Sequence, residues 1–286
     1  MQDSVPVVLD TDIGSDVDDV LALATLFGSP ELRLAGVTTV YGDTLLRARM
    51  VSRVAVVAGR STGPVVPGRT EPRSGRPVWW PGHEGALLDG LEHEPVSTEY
   101  DAAEVLAAAP RVIAIGPLTN LAEALERPDR VVRELFLMGG SFAEDRAEHN
   151  IRCDVAAASV VFEAGLPTTV IGLEQTTRIQ LGESVVERVA AAGELGQLLA
   201  AEMRQFWKFT EKDFNVPHDP AAVLMLVEPG LFEFRSGRIS VVSDGPEEGV
   251  TRFIPEAEGP HRIVSDLDPD AVADRIVDRI LAACMP

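Results

Sequence analysis

The chain has 286 residues, 45% of them hydrophobic, and Asp+Glu 45 against Lys+Arg 25 leaves a net charge of −20. So acidic a chain has no basic footprint for nucleic acid or anionic lipid, and its ordinary hydrophobic content excludes wholesale disorder. Two cysteines, Cys153 and Cys284, cannot staple a chain of this length, and no apolar run approaches the roughly 20 residues of a membrane helix. No basic N-terminal segment leads into an apolar run, so the expected compartment is the cytoplasm.

Residues 5–9 (VPVVL) read as a buried strand ending at Asp10. Residues 18–27 (DDVLALATLF) place Val20, Leu21, Leu23, Ala24 and Phe27 at helical spacing. A second strand is expected over 34–40, a helix over 44–58 and a short strand over 64–67. A helix closes at 105–109, before a strand over 111–115, the turn GPLTN and a helix over 121–125. Strands over 134–138 and 168–173 flank a helix over 156–164. Residues 184–213 read as helical, His218-Asp219-Pro220 opens a helix through 227, and 239–242 with 250–253 form a late hairpin before a closing helix over 270–283. Strands buried on both faces that alternate with helices predict an α/β fold with a central, mainly parallel sheet flanked by helices. No repeat or low-complexity linker divides the chain, so a single domain over 1–286 is expected.

The densest chemistry is Asp10-Thr-Asp12-Ile-Gly14-Ser-Asp16-Val-Asp18-Asp19, five carboxylates after a buried strand. In an open α/β sheet that strand end faces the ligand crevice. Helix capping accounts for two or three of these aspartates, not for five around Gly14. Hard oxygen ligands without His or Cys favour Ca²⁺ or Mg²⁺. An EF-hand is excluded, because the twelfth position counted from Asp10 is Leu21. An aspartate-based, Mg²⁺-dependent phosphatase also ends a strand in Asp-x-Asp and stays open as an alternative. Further down, His218-Asp219 offers a titrating imidazole beside another carboxylate. Ile115 precedes a Gly-Pro turn that can leave its carbonyl facing the crevice, and Met138-Gly139-Gly140 leads to Glu148 and Asn150, which can reach hydroxyls.

In this order the Asp-rich strand end, GPLTN, MGG with Glu-x-Asn, and HDP resemble the calcium-dependent nucleoside hydrolases, the inosine–uridine-preferring family. The resemblance implies hydrolysis of the N-glycosidic bond of ribonucleosides to base and ribose, in a homodimer or homotetramer. It implies that Asp12, Asp19, Asp219 and the Ile115 carbonyl ligate Ca²⁺, with Asp12 also general base on the attacking water. Asp18, or Asp16 in its stead, would hold ribose hydroxyls, with Glu148 and Asn150 on the other side and Met138 packed near the sugar. His218 would protonate the leaving base. His83, in Gly82-His83-Glu84-Gly85, matches a substrate-site loop, and Asp43 stands where members carry Asn. Two extra residues precede Asp18-Asp19, Ile13 replaces a proline, and the loop from Met138 to Glu148 is short. Phe206 and Phe209 are expected in the core, and Trp207 in the base pocket. A catalytically silent sugar or nucleoside sensor is the binding-class alternative.

Overall fold

The structure, a computed structural model, describes residues 4–285. In chain order the elements are β1 (Val5–Thr11), α1 (Asp18–Phe27), β2 (Leu32–Thr39), α2 (Thr44–Ala58), β3 (Val65–Pro67), α3 (Ala102–Ala107), β4 (Arg111–Ala114), α4 (Thr119–Glu126), β5 (Glu134–Met138), α5 (His149–Cys153), α6 (Val155–Glu163) and β6 (Thr168–Ile171). There follow α7 (Leu173–Thr176), β7 (Leu181–Gly182), α8 (Glu183–Ala190), α9 (Glu194–Thr210), β8 (Phe214–Asn215), α10 (His218–Val227), β9 (Phe232–Val241), β10 (Thr251–Pro255), β11 (His261–Leu267) and α11 (Pro269–Ala283).

Nine strands form one sheet in the order β10-β9-β11-β6-β5-β4-β1-β2-β3. The seven from β11 to β3 pair in parallel, while β9 and β10 are antiparallel additions at the edge. The last five residues of β1 are all buried, as a strand covered on both faces requires. Residues of α1, α10 and α11 pack one face of the sheet, and residues of α3, α4 and α6 the other. The mainly parallel α/β sheet expected from the sequence is therefore present.

Three details differ from the sequence reading. The late hairpin is longer, and β9 pairs on its other side with β11, whose apolar pattern is broken by Arg262 and Asp266. The stretch read as one helical run is two helices, broken at Gly193, whose φ of 102° no helix accommodates. The strand expected over 168–173 stops at Ile171, and Leu173 already begins α7.

The strand order reverses between β1 and β4, since the chain winds outward to β2 and β3 and then returns to β4, β5 and β6. Such a switch point opens a crevice at the carboxyl ends of the strands. Thr11 ends β1 and Ile115 follows β4, so both motifs open onto that crevice. Among the described residues no helix is long and apolar enough to cross a membrane.

Candidate active site

Two helix N-termini build the floor of the site. Asp18 and Asp19 form the first turn of α1, Asp219 lies in the first turn of α10, and the two helices pack together. One oxygen from each of Asp18, Asp19 and Asp219 lies within 4.8 Å of the others. The positive ends of both helix dipoles meet these acids. That is not enough to hold three charges: a pair about 4 Å apart repels by roughly 4 kcal/mol at an effective dielectric near 20. Burial, and then the neighbouring carboxylates, push all three well above the usual carboxylate range. A buried all-oxygen donor set of this kind fits a hard divalent cation.

Asp12 lies beside this cluster, 8% exposed, and burial raises its carboxyl as well. Its approach to β4 explains the Gly-Pro turn, because a Cβ on Gly116 would stand 2.7 Å from Asp12 Oδ1. The loop bends at Gly14, with φ 117°. Arg47, fully buried on α2, grips it from below: Nη1 donates to the carbonyls of Asp12 and Ile13, the latter at 2.6 Å, and Nη2 to Ser15 Oγ at 3.0 Å. Asp10 is turned away from the crevice. Its Oδ1 accepts from Thr38 Oγ1 at 2.6 Å and Asn120 Nδ2 at 2.8 Å, tying β1 to β2 and to α4, and burial lifts its pKa to about 7.

Above the floor lies a cavity of about 260 Å³. Asp12, Asp16, Asp18, Asp19, Ile115, Met138, Glu148, Asn150, His218 and Asp219, all singled out in the sequence, line it together. Asp16 is half-buried, its Oδ1 accepts from Val17 N at 2.6 Å, and burial raises it to about 7. Glu148 caps α5 and accepts from the amides of Gly140, Asn150 and Ile151, so its carboxylate is held rigidly. Asn150 Nδ2 donates to the Ile115 carbonyl at 2.9 Å. His218 Nδ1 lies 2.6 Å from Thr176 Oγ1, and burial, aided by the charge of Lys212, depresses its pKa to about 4.

Besides Asp10, three residues named in the sequence stand outside this lining. Asp43 is exposed and caps α2 by accepting from Leu46 N. His83 Nε2 bonds the Ser15 carbonyl at 2.9 Å, so His83 props the Asp-rich loop from outside the cavity. Trp207 packs against the core and not in the base pocket, Phe206 packs against the core as expected while also lining the cavity, and Phe209 lines the cavity instead of the core. The reason is helical geometry: positions 206 and 209 share one face of α9, and position 207 is turned about 100° away. Trp79 and His149, neither of them marked by a motif, also line the cavity. The Trp79-Trp80 pair before the Gly82-His83 loop was the available signal.

A strand-switch crevice that gathers buried carboxylates, a histidine and an aromatic wall defines a hydrolase site for a small polar substrate. Residues 7–274 match the model of the inosine-uridine preferring nucleoside hydrolase family. A probable uridine nucleosidase 2 of Oryza sativa subsp. japonica is 31% identical over 275 residues, covering 86% of this chain and 80% of the relative. A pyrimidine-specific ribonucleoside hydrolase, RihA, of Photobacterium profundum is 30% identical over 253 residues, covering 79% of this chain and 81% of that protein. Among solved structures, the plant nucleoside hydrolase PpNRh1 superposes with a TM-score of 0.82 at 25% identity, covering 96% of this chain and 98% of its own. The chain belongs to the inosine–uridine preferring nucleoside hydrolase family. It is a ribonucleoside hydrolase acting on N-glycosidic bonds, which sets the phosphatase reading aside.

Proposed function

We propose that the cavity cleaves pyrimidine ribonucleosides, uridine foremost, with Ca²⁺ as the resident ion and Asp12 as general base. The observation that carries this is the convergence of Asp18, Asp19 and Asp219 beside Asp12 at the cavity floor. Asp19, Asp219, the Ile115 carbonyl and Asp12 are the ligands the resemblance implies, and the approach of Asp18 to Asp19 and Asp219 supports it as a further ligand. Bound there, the ion supplies a positive charge that polarises the attacking water and orients the ribose diol.

The remaining work falls to the chain's own side chains. Asp12 lines the cavity beside the carboxylate cluster, which suits it to take the proton of the attacking water. With Asp18 drawn into the cluster, the half-buried Asp16 is the carboxylate left to receive ribose hydroxyls. Glu148 and Asn150 are fixed by backbone partners and bound the sugar opposite, over Met138. The anionic walls also favour the positive charge that develops on the sugar ring. His218, neutral near pH 7, faces the base as a hydrogen-bonding group. The names of the rice and Photobacterium relatives support the pyrimidine preference, and a 260 Å³ cavity suits a compact riboside.

Ribose release from a panel of purine and pyrimidine nucleosides tests this. Uridine and cytidine should turn over fastest. A faster purine would overturn the base preference. Binding of nucleosides with no turnover of any would favour the sensor.

A further inference from the structure

His149 lies between Glu148 and Asn150 and lines the cavity, yet neither the carboxylate cluster nor the grip on the Asp-rich loop uses it. Its half-buried ring packs edge-on against Trp79, with centroids 5.4 Å apart and planes at 76°. Trp79 in turn stands 6.5 Å from Phe209, and these two rings are 47% and 46% exposed. Large aromatics left this open at a cavity mouth form a surface on which a flat heterocycle can stack. His149 therefore sits where the wall for the base meets the residues that bound the sugar.

Cys153 meets one edge of the imidazole. The Trp79 backbone N–H donates to the Tyr41 hydroxyl oxygen at 2.8 Å, and Tyr41 packs with Cys153 in one small buried cluster. Cys153 Sγ lies 3.5 Å from His149 Nε2. Burial pushes the Cys153 thiol up to about 12, so it keeps its hydrogen. An imidazole that accepts the thiol hydrogen at Nε2 carries its own proton on Nδ1.

We infer that His149 Nδ1–H donates a hydrogen bond to the departing base, at the carbonyl oxygen on the ring carbon next to the glycosidic nitrogen of a pyrimidine. The inference rests on the ribohydrolase reading and names a residue the family resemblance did not supply. In the reaction, the water oxygen bonds C1′, its proton passes to Asp12, and the C1′–N electron pair leaves on the base. Part of that negative charge collects on the atoms beside the broken bond. A preset donor there binds the transition state more strongly than the ground state, where the charge is absent. Cys153 is a positioning residue that holds the tautomer.

Two substrates separate this role from a structural one. Uridine loses a poor leaving group, whereas 4-nitrophenyl riboside releases a stable phenolate that needs no donor. His149→Phe keeps a ring against Trp79 and should lower kcat/KM on uridine roughly 10²-fold, chiefly in kcat, with little change on the nitrophenyl riboside. Cys153→Ser, which retains a donor to Nε2, should keep more uridine activity than Cys153→Val. Equal losses on both substrates, or unchanged uridine turnover in His149→Phe, would overturn the inference. A wild-type enzyme inactive on both ribosides would instead remove the hydrolase reading beneath it, so the two failures are told apart by the control.

Discussion

Arg47 Nη1 donates to the backbone carbonyl of Ile13 at 2.6 Å, from a side chain that is fully buried beneath the Asp-rich loop. The same guanidinium reaches the Asp12 carbonyl, the Tyr41 carbonyl through Nε at 2.7 Å, and lies 4.9 Å from the Trp80 ring centroid. The loop carrying Asp12 and Asp16 is thus shaped by a cation that bonds backbone oxygens and leaves the carboxylates free. Arg47→Leu would strip three carbonyls of their donor inside the protein. The expected loss is on the order of 3 kcal/mol of stability, with a weaker rise in Tm on adding Ca²⁺. Denaturant unfolding with and without Ca²⁺ checks both. A variant as stable as wild type would show that the grip is dispensable.

Asp12→Asn retains the shape of the side chain and removes its capacity to accept a proton. Turnover of uridine should fall by about 10³-fold while the protein stays folded and soluble. Near-normal kcat in a folded variant would sink the general-base role.

His218 is held at Nδ1 by Thr176 and is neutral near pH 7, so it acts by hydrogen bonding. His218→Ala should cost nucleosides more than 4-nitrophenyl riboside, measured as the ratio of kcat/KM values. A ratio equal to that of wild type would count against any contact with the leaving group.

Glu202 gives a pH dependence unconnected with catalysis. Its Oε1 is buried without a partner, and burial raises its pKa from 4.5 to about 7. Between those values the folded chain holds a proton that the unfolded chain has released, so stability falls as pH rises through the window. Glu202→Gln should match wild type near pH 4 and exceed it in Tm at pH 8. Parallel Tm–pH curves for the two proteins would contradict the assignment.

The sheet and the cavity floor were legible in the sequence because their signals are local. Buried parallel strands are continuous apolar runs, and carboxylates that follow one directly announce a strand-end site. What was hidden depends on direction around a helix or on distant partners. Arg47 looks like any arginine of an amphipathic helix until the loop from Asp12 to Ser15 closes over it. Trp207 and Phe209 are equally aromatic, and only the phase of α9 sends one inward and the other to the cavity. Asp10 reads as one more acid of the cluster, yet Thr38 and Asn120 turn it into a tie between strands.

The central claim, that a divalent cation held by the carboxylates at the heads of α1 and α10 supports ribonucleoside hydrolysis, is tested by one titration. Uridine cleavage is followed by ribose release before chelation, after chelation with the metal content measured, and after Ca²⁺ is restored. Activity should vanish with the metal and return with Ca²⁺. Undiminished turnover by protein shown to be metal-free would contradict the account.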